Sequence, residues 1–197
     1  MIKNKKILIL VNYLSFFVSH RLPVAEALLD DGIDVFIGYG DHGGANPKLL
    51  QERGFKVNYI PMQPGGINLY KELNTIFNIW KYLNRVKPDI IHTVTIKPNL
   101  YGGIISRLIG VPALVSAVSG LGTLFIGNDF KNKFLKFLLY PIYKLAFSHI
   151  NQKVIFQKKL KLITCHMLAT LKSGLQPISV PVQSHVITMA KIRTRQK

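Results

Sequence analysis

KPDIIHTVTIKPNLYGGIISRLIGVPALVSAVSGLGTLFIG, residues 87–127, decides the fold. Lys87-Pro88-Asp89 ends one element, because proline cannot continue a helix and biases its predecessor away from the helical region. Ile90, Ile91 and Val94 then form an apolar run of strand length. Thr95 to Asn99 carries a proline and an asparagine and reads as a loop. Leu100 to Ile109 has helix length and is closed by Gly110 and Pro112. Ala113 to Val118 is a second buried strand, and Gly120-Leu121-Gly122 is the turn that leaves it. Strand, helix and strand within roughly 30 residues make a parallel crossover, whose ligand is expected at the carboxyl ends of the strands. The loops His92 to Asn99 and Ser119 to Gly122 are expected at those ends.

Outward from this unit the same alternation continues. Towards the N-terminus, Lys6 to Val11 reads as a first strand: the basic start and apolar run resemble a leader, but Asn12 and Tyr13 interrupt it. Asn12 to Ser19 is its exit loop, and His20 to Asp31 a helix with Leu22, Ala25, Leu28 and Leu29 inward, stopped by Gly32. Asp34 to Tyr39 is a second strand, Pro47 to Arg53 a short helix, and Phe55 to Ile60 a third strand. Tyr70 to Val86 is a long helix whose inward stripe is read as Leu73, Ile76, Phe77, Trp80 and Leu83. Towards the C-terminus, Asn151 to Phe156 is a sixth strand. The expectation is an α/β fold with a doubly wound, mostly parallel Rossmann-like sheet.

The boundaries follow from composition. Residues 1–157 form the folded domain. Lys158 to Lys197 holds no Asp, Glu, Asn, Phe, Tyr or Trp, yet eight of the 26 Lys and Arg. It reads as a poorly ordered basic tail, either a genuine solvated tail or out-of-frame translation after a lesion in a longer gene. Between the two, Phe130 to Phe147 interleaves Lys131, Lys133, Lys136 and Lys144 with Phe134, Phe137, Leu138, Ile142 and Leu145, with Pro141 kinking or splitting the helix. Such a segment either lies on an anionic membrane, through Lys131, Lys133, Phe134, Lys136 and Phe137, or packs its apolar face on the sheet with its lysines solvated.

A net charge of +17 calls for an anionic partner. One cysteine, Cys165, excludes an intramolecular disulfide framework and a cysteine-based zinc site. No metal site is expected. The loop after the first strand, Asn12 to Phe17, lacks the glycine pattern of a dinucleotide site, and no P-loop, GxSxG elbow or HExxH helix is present. No helix-turn-helix, zinc finger or aromatic RNA-binding strand supports a nucleic-acid partner. The remaining candidates are residues at the strand ends. His92 is a ligand contact or a structural hydrogen-bonding residue. His20 and Arg21 open a helix, where an anion is favoured, or are simply solvated. Lys97 is a phosphate contact or a surface lysine. Gly120 and Gly122 allow close backbone approach to a ligand.

SFFVSHRLPVAEAL at 15–28, KPDIIHTVTIKPNLYGGIISRL at 87–108 and VPALVSAVSGLGTLF at 111–125 resemble the N-terminal half of bacterial glycosyltransferases of family four. The resemblance covers roughly residues 5–157. It implies one half of a GT-B fold and a retaining transferase of capsule, O-antigen or lipid-linked oligosaccharide synthesis. In that family the first domain takes the acceptor, often a polyprenyl-diphosphate-linked saccharide at the membrane. This implies acceptor or diphosphate contacts from His20, Arg21, His92, Lys97, Ser119, Gly120 and Gly122, with no catalytic residue assigned. It also implies a cytoplasmic protein, peripheral on the inner face of the plasma membrane, with no cofactor and a UDP- or GDP-sugar donor for the full-length parent. The family's second domain, which grips that donor, has no counterpart here, so the chain is expected to be inactive alone. Two other readings stay open: a non-catalytic basic module for membranes or polyanions, and the acceptor subunit of a split transferase whose donor domain is a separate chain.

Overall fold

The computed structural model describes residues 5–63, 68–118, 140–156 and 178–179. β1 (Lys6–Tyr13), β2 (Asp34–Asp41), β3 (Lys56–Tyr59), β4 (Ile90–Val94), β5 (Ala113–Val118), β6 (Gln152–Phe156) and the two-residue β7 (Ile178–Ser179) form one sheet in the order β3-β2-β1-β4-β5-β6-β7. Every pairing is parallel. β7 lies beside β6, with Ile155 opposite Ile178, so two residues of the segment read as a tail stand on the sheet edge.

β1 shows why a parallel sheet leaves so plain a sequence trace. Its residues alternate between two cores, and both cores are apolar. Ile7, Ile9 and Val11 pack with Phe17 and Ala25 on one face, and Leu8 and Leu10 pack with Ile79, Leu83 and Ile105 on the other. The helices on the first face are α1 (Leu14–His20), α2 (Leu22–Asp30) and α3 (Pro47–Glu52). Those on the second are α4 (Leu69–Val86) and α5 (Gly103–Leu108). A third cluster joins Tyr143, Ala146 and Phe147 to Leu100, Val118 and Val154, so the helical residues 140–146 pack one face on the sheet while Tyr140, Ile142 and Leu145 stay exposed.

The elements differ from the sequence reading in three places. The expected exit loop after β1 is helical from Leu14, and His20 ends α1 instead of opening a helix. The apolar spacing of Leu14 and Phe17, three apart and both buried, explains this, since the two lie on the sheet-facing stripe. The expected loop at Thr95 to Asn99 is helical from Ile96, because Pro98 falls in the first turn, where its missing N–H is not needed. Pro98–Gly102 then forms a wide π turn that runs into α5. On α4 the buried residues are Thr75, Ile79, Tyr82, Leu83 and Val86, while Leu73, Phe77 and Trp80 face out.

The start and end of α4 are fixed locally. The Asn68 side chain accepts from Lys71 N–H at 3.2 Å, and Lys87, at φ 49°, ends the helix just before Pro88. The next residue, Asp89, ties this end to β1: its carboxylate accepts from Lys6 N–H at 2.8 Å and from Lys5 Nζ at 2.7 Å.

Candidate functional site

The strand order reverses between β1 and β4, and ligands of such sheets bind beyond the carboxyl ends of the strands at that point. Leu10 of β1 lies opposite Thr93 of β4. Asn12 lies near the end of β1, and Thr95 directly follows β4. Both carry a buried side-chain oxygen, Asn12 Oδ1 and Thr95 Oγ1, that finds no hydrogen-bond partner among the described residues. Buried polar atoms are normally paired, so an orphan at the carboxyl end of each switch-point strand marks a place for a ligand or water. Thr95 is also the site of backbone strain: φ is 75°, a conformation that costs a β-branched residue on the order of 1–3 kcal/mol.

A buried chain of polar side chains holds this strained residue. Gln152 Nε2 donates to Ser116 Oγ at 3.0 Å, Ser116 and Thr93 share their hydroxyls at 3.2 Å, and Thr93 donates to Asn99 Oδ1 at 2.6 Å. Asn99 Nδ2 in turn donates to Ala117 O at 2.9 Å. The backbone closes the loop, with Asn99 N–H donating to Thr95 O at 3.1 Å and Thr95 N–H to Ala117 O at 3.3 Å. The π turn can approach the sheet this closely because Gly102 has no side chain. A Cβ there would sit 2.8 Å from Thr93 Cγ2 and 3.1 Å from Leu10 Cδ2.

One helical turn along, Lys97 Nζ lies 2.5 Å from Glu72 Oε1, and their side chains are only 15% and 13% exposed. Tyr101 donates its hydroxyl to Glu72 Oε2 at 2.6 Å. Burial, and then the hydrogen bond and charge of Glu72, hold the Tyr101 hydroxyl well above its usual pKa. Lys97 is thus the part-buried partner of an acid on α4, and the pair fastens the start of the site helix to that neighbour.

Arg21 is 2% exposed, and its Nε finds no partner among the described residues. Its side chain's one hydrogen bond there is from Nη1 to His20 O at 3.3 Å, and no carboxylate pairs with it among those residues. Burial alone pulls its pKa down to about 10, so it stays charged at neutral pH. His20 is exposed. Its ring stacks on Phe16 at 4.2 Å, and its Nδ1 shares a hydrogen with Ser19 Oγ at 2.6 Å. His92 lies inside β4 and not after it. It is 3% exposed, with Nδ1 3.0 Å from Val115 O, so it stands below the strand ends.

Ser119, Gly120, Gly122 and the segment with Lys131, Lys133, Phe134, Lys136 and Phe137 lie outside the described residues. The structure thus brings Asn12, Thr95, Asn99, Lys97, Glu72 and Tyr101 to one end of the sheet. Of these the sequence reading singled out only Lys97 as a site residue. Lys97 and Tyr101 are four apart and share a helix face, a signal that was present. Nothing in the chain order pairs them with Glu72. Among the described residues no group of three or more His, Cys, Asp and Glu could hold a metal ion, and no helix is long and apolar enough to cross a membrane.

Comparison with known proteins agrees with this architecture. The chain is 26% identical over 144 residues to the N,N'-diacetylbacillosaminyl-diphospho-undecaprenol alpha-1,3-N-acetylgalactosaminyltransferase of Campylobacter jejuni, a match that covers 69% of this chain and 38% of that protein. It is 36% identical over 62 residues to the UDP-Gal:alpha-D-GlcNAc-diphosphoundecaprenol alpha-1,3-galactosyltransferase of Escherichia coli, covering 32% of this chain and 16% of that one. The chain thus spans well under half the length of the curated relatives it matches. Among solved structures, the UDP-GlcNAc 2-epimerase of Neisseria meningitidis superimposes with a TM-score of 0.59 at 13% identity, over 96% of this chain and 50% of that one, a likeness of fold. The family model described as "Glycosyl transferase 4-like" matches residues 6–158, and the chain belongs to that family.

Proposed function

We propose that residues 1–157 are the acceptor-side domain of a glycosyltransferase that moves a sugar from a nucleotide sugar to a polyprenyl-diphosphate-linked saccharide. The observation that carries this reading is the pair of orphan buried oxygens, Asn12 Oδ1 and Thr95 Oγ1, at the switch point. Two hydrogen-bond acceptors suit sugar hydroxyls, which can donate to them. Arg21, buried and without a carboxylate partner among the described residues, offers the charge that a diphosphate requires. Both curated relatives carry a diphospho-undecaprenol-linked sugar in their names, which supports the same acceptor class here. The protein works as a peripheral protein on the inner face of the plasma membrane, where such lipids are presented. The nucleotide-sugar donor is a UDP- or GDP-sugar.

The test is binding of a water-soluble, short-chain prenyl-diphosphate saccharide to the purified chain by calorimetry. Binding is expected to weaken about tenfold or more in Arg21→Met, since a hydrogen bond to a charged group contributes roughly 1.5–3 kcal/mol. Thr95→Val is expected to weaken it less. Equal affinity in Arg21→Met, or no binding by the parent chain, overturns the reading.

A further inference from the structure

We infer that the outer face of α4 is a docking surface for an anionic lipid bilayer. Leu69, Tyr70, Leu73, Phe77 and Trp80 are 46–81% exposed. At about 100° per residue they fall within one arc of roughly 100°, clear of the buried face that Ile79, Leu83 and Val86 turn to the sheet. Phe77 and Trp80 stack on each other at 5.8 Å, in the open. Exposed apolar side chains are ordinary when scattered. A continuous stripe of five on one helix is the pattern of an interaction face.

Charge identifies the occupant. The one acid on α4 is Glu72, and its carboxylate is taken up by Lys97 and Tyr101. On α4 itself the residues that border the stripe are basic or neutral, with Lys81 and Arg85 along one flank. An aromatic and leucine stripe edged by basic residues matches the boundary between anionic headgroups and acyl chains. A second copy of this chain fits poorly, because each copy carries a net charge of +17 and like faces would repel.

Position links this surface to the site. α4 follows β3 and runs antiparallel to the strands, so Leu69, Tyr70 and Leu73 lie at its site end, in the turn that also holds Glu72 against Lys97. A bilayer against the stripe would meet the molecule beside the strand ends, where a lipid-linked ligand would enter. The inference rests on the peripheral-membrane part of the proposed function and not on its acceptor part.

Trp80 is the chain's single tryptophan, so its emission reports this stripe alone. With vesicles of phosphatidylglycerol and phosphatidylcholine, containing no saccharide lipid, the emission is expected to shift to the blue and to be quenched by brominated acyl chains. Vesicles of phosphatidylcholine alone should do this far less. Phe77→Ser is expected to raise the lipid concentration at half-binding about tenfold or more with an unchanged circular dichroism spectrum, and Lys81→Gln about fivefold. Cosedimentation with Trp80 still open to acrylamide would place the membrane contact elsewhere and overturn the inference. So would a blue shift without lipid that tracks a doubling of mass, or no binding at all. Because the acceptor probe is soluble and these vesicles lack it, failure here leaves the acceptor assignment standing, and the reverse holds too.

Discussion

The two halves of the sheet are built from different materials. β1 buries Ile, Leu and Val, with no polar atom among the side chains of Ile7 to Val11, and β2 beside it buries Val35, Ile37 and Tyr39. β4 to β6 bury His92, Thr93, Ser116 and Gln152 in the same layer. An apolar interior tolerates many packings of similar volume. A polar one tolerates few, since each donor must meet its acceptor and a lost partner costs about 1–3 kcal/mol. The half that carries the strained Thr95 and the π turn is the half with the hydrogen-bond chain. The apolar half supplies stability, and the polar half specifies one geometry at the site.

That contrast can be broken by substitution. Phe17, fully buried and edge-on to Phe55 at 5.9 Å, belongs to the apolar half. Phe17→Ala is expected to lower the unfolding free energy by about 3–5 kcal/mol in urea titration. A loss below about 1 kcal/mol would mean that the apolar half is not the main source of stability. Thr93→Val keeps the shape and leaves Asn99 Oδ1 without its donor. A loss of about 1–3 kcal/mol is expected, with faster amide exchange concentrated at Asn99 and the turn. Uniform exchange across the sheet would erase the distinction between the halves.

The smallest effect concerns the clip that joins the halves at their amino ends. Partial burial raises the Asp89 pKa, but hydrogen bonds from Lys5 and Lys6 N–H and the charges of both lysines outweigh it and leave the carboxyl below its ordinary 3.8. A folded-state pKa below the unfolded one stabilises the protein above the ordinary value, and that contribution is lost as pH falls through the folded one. Asp89→Asn should therefore change stability little at neutral pH, by about 0.2–1 kcal/mol, and flatten its fall below pH 3.8. An acid limb identical to the parent's would show that the clip carries no proton linkage.

The sheet was legible in the sequence because strands buried on both faces leave unbroken apolar runs, and glycines and prolines punctuate them. β5 falls where 113–118 was read, and β4 follows the apolar run of Ile90, Ile91 and Val94, taking in the His92 that was also read as the start of its loop. α4 was legible as a helix but not in its orientation. Its apolar arc reaches from the face of Ile79 and Leu83 round to Phe77, wider than one contact surface, so the stripe read as inward was the middle of the arc. The sheet takes one side of it and leaves Leu73, Phe77 and Trp80 outside. The site was legible by position, as strand ends at a switch point, more than by residue. Asn12, Thr95 and Glu72 gain their roles from neighbours that lie far along the chain, and no spacing encodes those contacts.

The π turn at Pro98–Gly102 changes which faces this helix presents to its neighbours. An extra residue in one turn sets the segments before and after it out of phase by about 100°. Lys97 on one side and Ile105 on the other therefore answer to separate partners, the carboxylate of Glu72 and the apolar core. The turn sets a fixed offset between the two, so one continuous segment meets an acid on α4 at its site end and the apolar core further on.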